Sequence, residues 1–196
     1  HIGGDESPRT RWRECPECQS LIRRAGLKAD TRHSAEDKLQ GYFNTRIEKF
    51  LSRHGRRLIG WDEIVDGGMS PDATVMSWRG TAGGIRAADE GFDVIMSPNS
   101  SFYFDYYQSA NIDTEPPTIG GYIPLKKVYD TEPVPEELTP EQARRIIGVQ
   151  ANVWTTYMRT DTILEHMLLP RLAALAERAW SDGEKDFTDF MTRLDR

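Results

Sequence analysis

Cysteine is scarce in these 196 residues: Cys15 and Cys18 are the two present, in the run Cys15-Pro16-Glu17-Cys18. A zinc ribbon needs a second such pair, and His33 does not stand at a finger spacing. The surroundings lack the strand-to-helix junction and small residues of a thioredoxin-like motif. The pair therefore reads as free thiols or a local loop disulfide. Apolar runs are short, and none approaches the roughly 20 residues of a membrane span. Basic residues are outnumbered: 25 Lys and Arg against 31 Asp and Glu leave a net charge of −6. With no basic stripe interleaved with aromatics, nucleic acid is excluded as the expected partner. The Gly-rich dinucleotide fingerprint, internal repeats and low-complexity tracts are missing as well. There is no initiator Met and no signal peptide, and the chain opens on a dense motif, so it is expected to be part of a longer protein.

What remains is ordinary globular composition, 38% hydrophobic and 29% charged, enough for one domain over residues 1–196. Ala35, Leu39, Phe43, Ile47, Phe50 and Leu51 recur on one face and predict a helix over 33–54, closed by Gly55. Apolar runs at 57–61, 74–78, 93–97 and 148–154 predict buried strands. Helices are expected over 82–90, over 123–130 within a long aromatic, Pro-rich segment from Pro98 to Pro140, and over 140–147. A further helix is capped by Asp161, and Pro170 divides it from the next, which runs to Trp180. Alternating apolar strands and helices mean a parallel sheet covered by helices, either doubly wound or a (β/α)₈ barrel. Asp5-Glu6, Trp61-Asp62, Trp78 and Trp154 all fall at strand ends, which is the habit of the barrel. Trp12, on a loop, and Trp180, on a late helix, read as structural.

Asp5 and Glu6 are adjacent carboxylates behind Gly3 and Gly4, which let the backbone turn sharply. Two close carboxylates repel as anions. That favours a proton on one of them, available for a glycosidic oxygen. Such a pair alone reads as a solvated acidic turn, and any single Trp as a core residue. Three tryptophans at one end of a barrel point instead to sugar rings, whose C–H faces pack on aromatic walls. Tyr103 and Asp105 add a phenol and a carboxylate.

The run His1-Ile2-Gly3-Gly4-Asp5-Glu6 resembles the His-x-Gly-Gly-Asp-Glu signature of the family 20 glycoside hydrolases, the β-N-acetylhexosaminidases. The resemblance continues in order through Gly60-Trp61-Asp62-Glu63, Met76-Ser77-Trp78-Arg79-Gly80, Tyr103-Phe104-Asp105 and Gln150-Ala151-Asn152-Val153-Trp154. It implies an α/β fold, a (β/α)₈ TIM barrel of which this chain holds about strands four to eight. It also implies a retaining exo-hydrolase acting on an N-acetylhexosamine-containing glycan through an oxazolinium intermediate. Asp5 and Glu6 would be catalytic, and His1, Trp61, Trp78, Tyr103, Asp105 and Trp154 would bind substrate, with no metal or cofactor. A periplasmic, cell-surface or secreted location is implied with it. Two other readings stand beside this one, a catalytically silent carbohydrate-binding protein on the same fold and a relative that releases a disaccharide such as lacto-N-biose. Two departures from the pattern matter. Thr156 stands where the family often has a Glu after Trp154, and the early-strand substrate-binding Arg lies outside this chain.

Overall fold

The computed structural model describes residues 1–181 and 183–195. The chain forms two compact units, His1–Ile95 with Glu137–Ile147, and Met96–Glu136 with Gly148–Arg196.

In the first unit, α1 (Thr10–Glu14) and α2 (Pro16–Arg24) precede the long α3 (Ala35–Arg53). Ser34 and Asp37 close a capping box on α3: Ser34 Oγ accepts from Asp37 N–H, and the Asp37 carboxylate accepts from Ser34 N–H. β1 (Ile59–Trp61) runs parallel to β2 (Thr74–Ser77), with Ile59, Gly60 and Trp61 opposite Thr74, Val75 and Met76. A 3₁₀ turn, Asp62–Gly67, links them. α4 (Ala82–Asp89), β3 (Asp93–Met96), α6 (Pro140–Ala143) and β4 (Ile146–Val149) follow, with α5 (Leu125–Asp130) between β3 and α6. The four strands make one sheet in the order β1-β2-β3-β4. Leu58, Ile64, Val75, Met76, Ala87 and Val94 form the dry centre of this unit.

Three expectations need correcting here. The face that α3 buries is Leu39, Gln40, Gly41, Asn44 and Glu48, while Phe43 and Phe50 stay about 60% exposed. Backbone approach sets the helix's rotation: a Cβ on Gly41 would overlap the Gly67 carbonyl, and one on Gly67 would overlap Gly41. Helix 140–147 is shorter and strand 148–154 begins earlier than the sequence predicts. The β-branched pair Ile146-Ile147 joins the sheet through Arg145, whose carbonyl accepts from Val94 N–H at 2.7 Å. Trp12 lies on α1 rather than a loop. Pro16 at the first helical position is the signal for α2, whereas α1 starts without a side-chain cap.

The second unit gathers α5, α7 (Asp161–Leu168), α8 (Arg171–Trp180) and α9 (Phe187–Leu194). Thr160, not Asp161, caps α7, its hydroxyl accepting from Ile163 N–H. Phe102, Phe104, Ile123, Val128, Tyr129 and Met167 are fully enclosed, and Tyr129 packs against Phe187 and Phe190. Trp180 ends α8 at 88% exposure, so it has no core role among the described residues.

Candidate active site

The backbone of the first residues lies alongside β1. Ile2 N–H donates to Ile59 O and Trp61 N–H donates to Gly3 O, each at 2.9 Å. The chain then turns through Gly3 (φ +72°) and Gly4 (φ +100°) and reaches Glu6 at φ +44°, a left-handed conformation rarely adopted by a side-chain-bearing residue. Gly4 is required twice over, because a Cβ there would also sit 2.7 Å from Ile64 Cγ2. The turn is tied from behind. Buried Gln40 of α3 donates to Gly4 O at 2.7 Å, and Arg9 binds both Gln40 and Asp37. Asp5 and Glu6 thereby emerge with exposed carboxylates just past the end of β1.

His1 accepts the Gly3 N–H through Nδ1 at 3.0 Å, which leaves the ring proton on Nε2, 3.1 Å from Met76 Sδ. Its ring meets the buried Trp61 edge-on, with centroids 5.1 Å apart. The sequence motifs at the ends of β1 and β2 are laced together. Asp62, fully enclosed, accepts from Arg79 Nε at 2.7 Å and from Trp78 N–H at 3.2 Å. Glu63 accepts the Trp78 indole N–H at 3.0 Å and lies 3.6 Å from Arg79. Burial pushes the Glu63 carboxyl above the usual carboxylate range, and Asp62 adds to this against the opposing Trp78 and Arg79 contacts. Ser77 closes the corner by donating to Gly80 O and accepting from Gly84 N–H. A cavity of about 560 Å³ opens here, lined by Glu6, Arg9, Arg13, Glu63, Trp78 and Arg79 among others. Its size lies within the range of small-molecule sites. The structure thus places His1, Trp61, Asp5, Glu6 and Trp78 in one unit. Glu63, Arg79 and Gln40 hold them, although the sequence marks the first two only as motif members and Gln40 by no signal.

Tyr103, Asp105 and Trp154 lie in the second unit. A parallel bridge pairs Tyr103 with Asn152, and Phe104 N–H donates to Asn152 O at 2.8 Å. Asn152 also donates to Ser97 Oγ and accepts from Gln150. The Tyr103 and Trp154 rings meet edge-on at 6.2 Å. Burial pushes the Tyr103 phenol up to about 12, so it remains a donor at physiological pH. Burial also raises the Asp105 carboxyl, against the pull of the Arg171 cation, and Asp105 Oδ1 is enclosed without a hydrogen-bond partner. An enclosed polar atom left unpaired is the kind of group a ligand satisfies. Arg171, which the sequence did not single out, has no exposed surface. It donates to the carbonyls of Phe104, Tyr106, Ile123 and Met167 at 2.6–3.1 Å, and its guanidinium lies over the Phe104 ring. Trp154 is 47% exposed, and Thr156 follows it on an exposed 3₁₀ turn. Among the described residues no group of three or more His, Cys, Asp or Glu could hold a metal ion, and no helix is long and apolar enough to cross a membrane.

Comparison with known proteins adds an independent line. The family model described as Glycosyl hydrolase family 20, catalytic domain, matches residues 1–183. A Beta-hexosaminidase of Porphyromonas gingivalis (strain ATCC BAA-308 / W83) is 49% identical over 100% of this chain and 24% of its own length. A Beta-hexosaminidase of Vibrio furnissii is 33% identical over 90% of this chain and 28% of its own length. Among solved structures, the GH20 Exo beta-N-Acetylglucosaminidase from Vibrio harveyi in complex with N-acetylglucosamine superposes with a TM-score of 0.83 and 32% identity. That match covers 100% of this chain and 30% of the other. The chain spans about a quarter of the length of the curated relatives it matches. Its parallel sheet and helices are part of a TIM-barrel fold. The chain belongs to glycosyl hydrolase family 20, and residues 1–183 are catalytic-domain sequence.

Proposed function

We propose that the protein is a retaining exo-β-N-acetylhexosaminidase that removes terminal β-linked N-acetylglucosamine or N-acetylgalactosamine from glycans. The observation that carries this reading is the Asp5-Glu6 pair, presented past a double-glycine turn with Glu6 and Trp78 on one cavity, in a chain of this family. The names of the Porphyromonas and Vibrio relatives support the same activity.

In this scheme Glu6 protonates the glycosidic oxygen as the substrate's own acetamido carbonyl attacks the anomeric carbon. The glycosidic bond breaks and an oxazolinium forms, an exception to the two-carboxylate scheme. Asp5 accepts the acetamido N–H and offsets the positive charge that develops there. Water then adds to the anomeric carbon while Glu6 takes its proton, and two inversions leave the configuration retained. Trp61, Trp78 and Trp154 are assigned to the acetamido group and the sugar face, with His1 a substrate-binding residue in contact with Trp61. Tyr103 is assigned to the acetamido oxygen. Asp105, with its unpaired Oδ1, is assigned to sugar hydroxyls.

The test is release of the aryl group from an aryl N-acetyl-β-glucosaminide and its galacto epimer by the full-length protein, with a thiazoline as inhibitor. Turnover blocked by the thiazoline is expected. Sugar binding without turnover would instead make the protein a silent carbohydrate-binding relative.

A further inference from the structure

Cys15 and Cys18 have no part in the proposed hydrolysis, yet their placement is specific. Cys15 N–H donates to Arg11 O at 2.9 Å and so closes α1. Its side chain then caps α2, with Sγ accepting from Cys18 N–H at 3.5 Å. α2 is nine residues long with Pro16 at its start, so its unpaired N–H groups and positive end face the Cys15 sulfur. Cys18 itself lies in the first turn of the same helix, within the stretch that Cys15 caps. These contacts, the Cys18 backbone first, hold the Cys15 thiol below the usual thiol range, while the contact with Cys15 pushes Cys18 up. Both cysteines are free and partly exposed. The pair therefore lies on a helix start rather than in a loop.

We infer that Cys15 and Cys18 form a dithiol that exchanges with small-molecule disulfides and closes reversibly to a local disulfide. Cys15 gives up its proton, and its thiolate attacks one sulfur of the disulfide. That S–S bond breaks, one thiolate leaves, and a mixed disulfide remains on Cys15. Cys18 then gives up its proton and attacks the Cys15 sulfur, releasing the second thiolate. The two cysteines are oxidised by two electrons, the disulfide is reduced to two thiols, and the two protons released end on the departing thiolates. Cys15 is the attacking sulfur because the helix start favours its anion, and Cys18 resolves because it lies one turn away on the same helix. The joint that closes carries α1, whose Arg13 lines the cavity with Glu6.

The test uses the full-length protein in glutathione buffers of increasing glutathione disulfide, quenched with N-ethylmaleimide and read by peptide mass spectrometry. The peptide spanning Cys15 and Cys18 should become lighter by two hydrogens and refuse the maleimide, and dithiothreitol should restore both sites. Cys18→Ser should stop with one glutathione on Cys15, and its reaction with iodoacetamide should titrate at lower pH than that of Cys15→Ser. In urea that difference should shrink. None of these readouts requires glycoside hydrolysis. The inference is overturned if both thiols stay alkylatable in the most oxidising buffer, if Cys18→Ser takes up no glutathione, if Cys15→Ser titrates at the lower pH, or if the difference persists undiminished in urea.

Discussion

Glu6 and Asp5 are sequence neighbours with different assigned work, and leaving-group chemistry separates them. A sugar alcohol leaves badly without a proton, whereas a nitrophenolate barely needs one. General acid help is worth about 10²–10⁴-fold. In the full-length protein, Glu6→Gln should therefore slow natural disaccharides by about that factor, and formation of the intermediate from activated aryl glycosides far less. Asp5→Asn should slow both substrate types alike and weaken thiazoline binding. Rates across a series of aryl leaving groups decide it: a steep dependence for Asp5→Asn with a flat one for Glu6→Gln would reverse the roles. Thr156 offers no charge-assisted bond to a sugar hydroxyl, so epimers at C4 should be poorly discriminated. Thr156→Glu should sharpen the ratio of the gluco and galacto kcat/KM values, and an unchanged ratio would assign C4 to another residue. Glu63 tests electrostatics. Its carboxyl is raised in the folded protein, so the folded state holds the proton more tightly than the unfolded chain. Its contribution to stability is complete below the ordinary Glu value, about 4.3, and is lost as pH rises through the raised one. Glu63→Gln keeps an oxygen for the Trp78 indole and removes that loss. Its Tm relative to the parent should thus climb as pH rises from about 4 towards 7, and parallel Tm curves would contradict the burial argument.

Among the elements, the arm from Phe102 to Ile123 depends on one buried cation on α8. Arg171→Met keeps most of the apolar stem but orphans the carbonyls of Phe104, Tyr106, Ile123 and Met167. Each enclosed acceptor left unmet costs about 1–3 kcal/mol, so a loss of at least about 3 kcal/mol in unfolding free energy is expected from urea titration. Arg171→Lys should recover only part of it, since an ammonium cannot reproduce the planar fork. A loss below about 1 kcal/mol would mean that water replaces these bonds. Strands and helices at this scale were legible wherever local pattern decides them. The helix expected over 33–54 is found at Ala35–Arg53, and the strands ending at Trp61 and Ser77 are where apolar runs put them. The rotation of α3 was not legible, because Gly41 against Gly67 outweighs the exposed Phe43 and Phe50.

For the molecule as a whole, a barrel of this fold closes with eight strands, whereas the described sheet runs in the open order β1-β2-β3-β4. An unpaired sheet edge recruits other chains, and Phe43, Phe50, Leu172 and Trp180 are exposed. Residues 1–196 produced alone should therefore aggregate and release no aryl group from the chromogenic glycoside proposed as a substrate of the full-length protein. A monomer with a cooperative melt and full activity would refute this. The sequence by itself determined the alternation of strand and helix, the order of the family motifs and the candidate pair Asp5-Glu6, because those signals lie within a few neighbouring residues. Only the tertiary structure decided that Glu63 holds the Trp78 indole 15 positions away, that Gln40 reaches back 36 positions to Gly4 O, and that Arg171 reaches Phe104 across 67. Such partners carry no local pattern: each is an ordinary polar residue until folding removes water and leaves a specific acceptor to be satisfied.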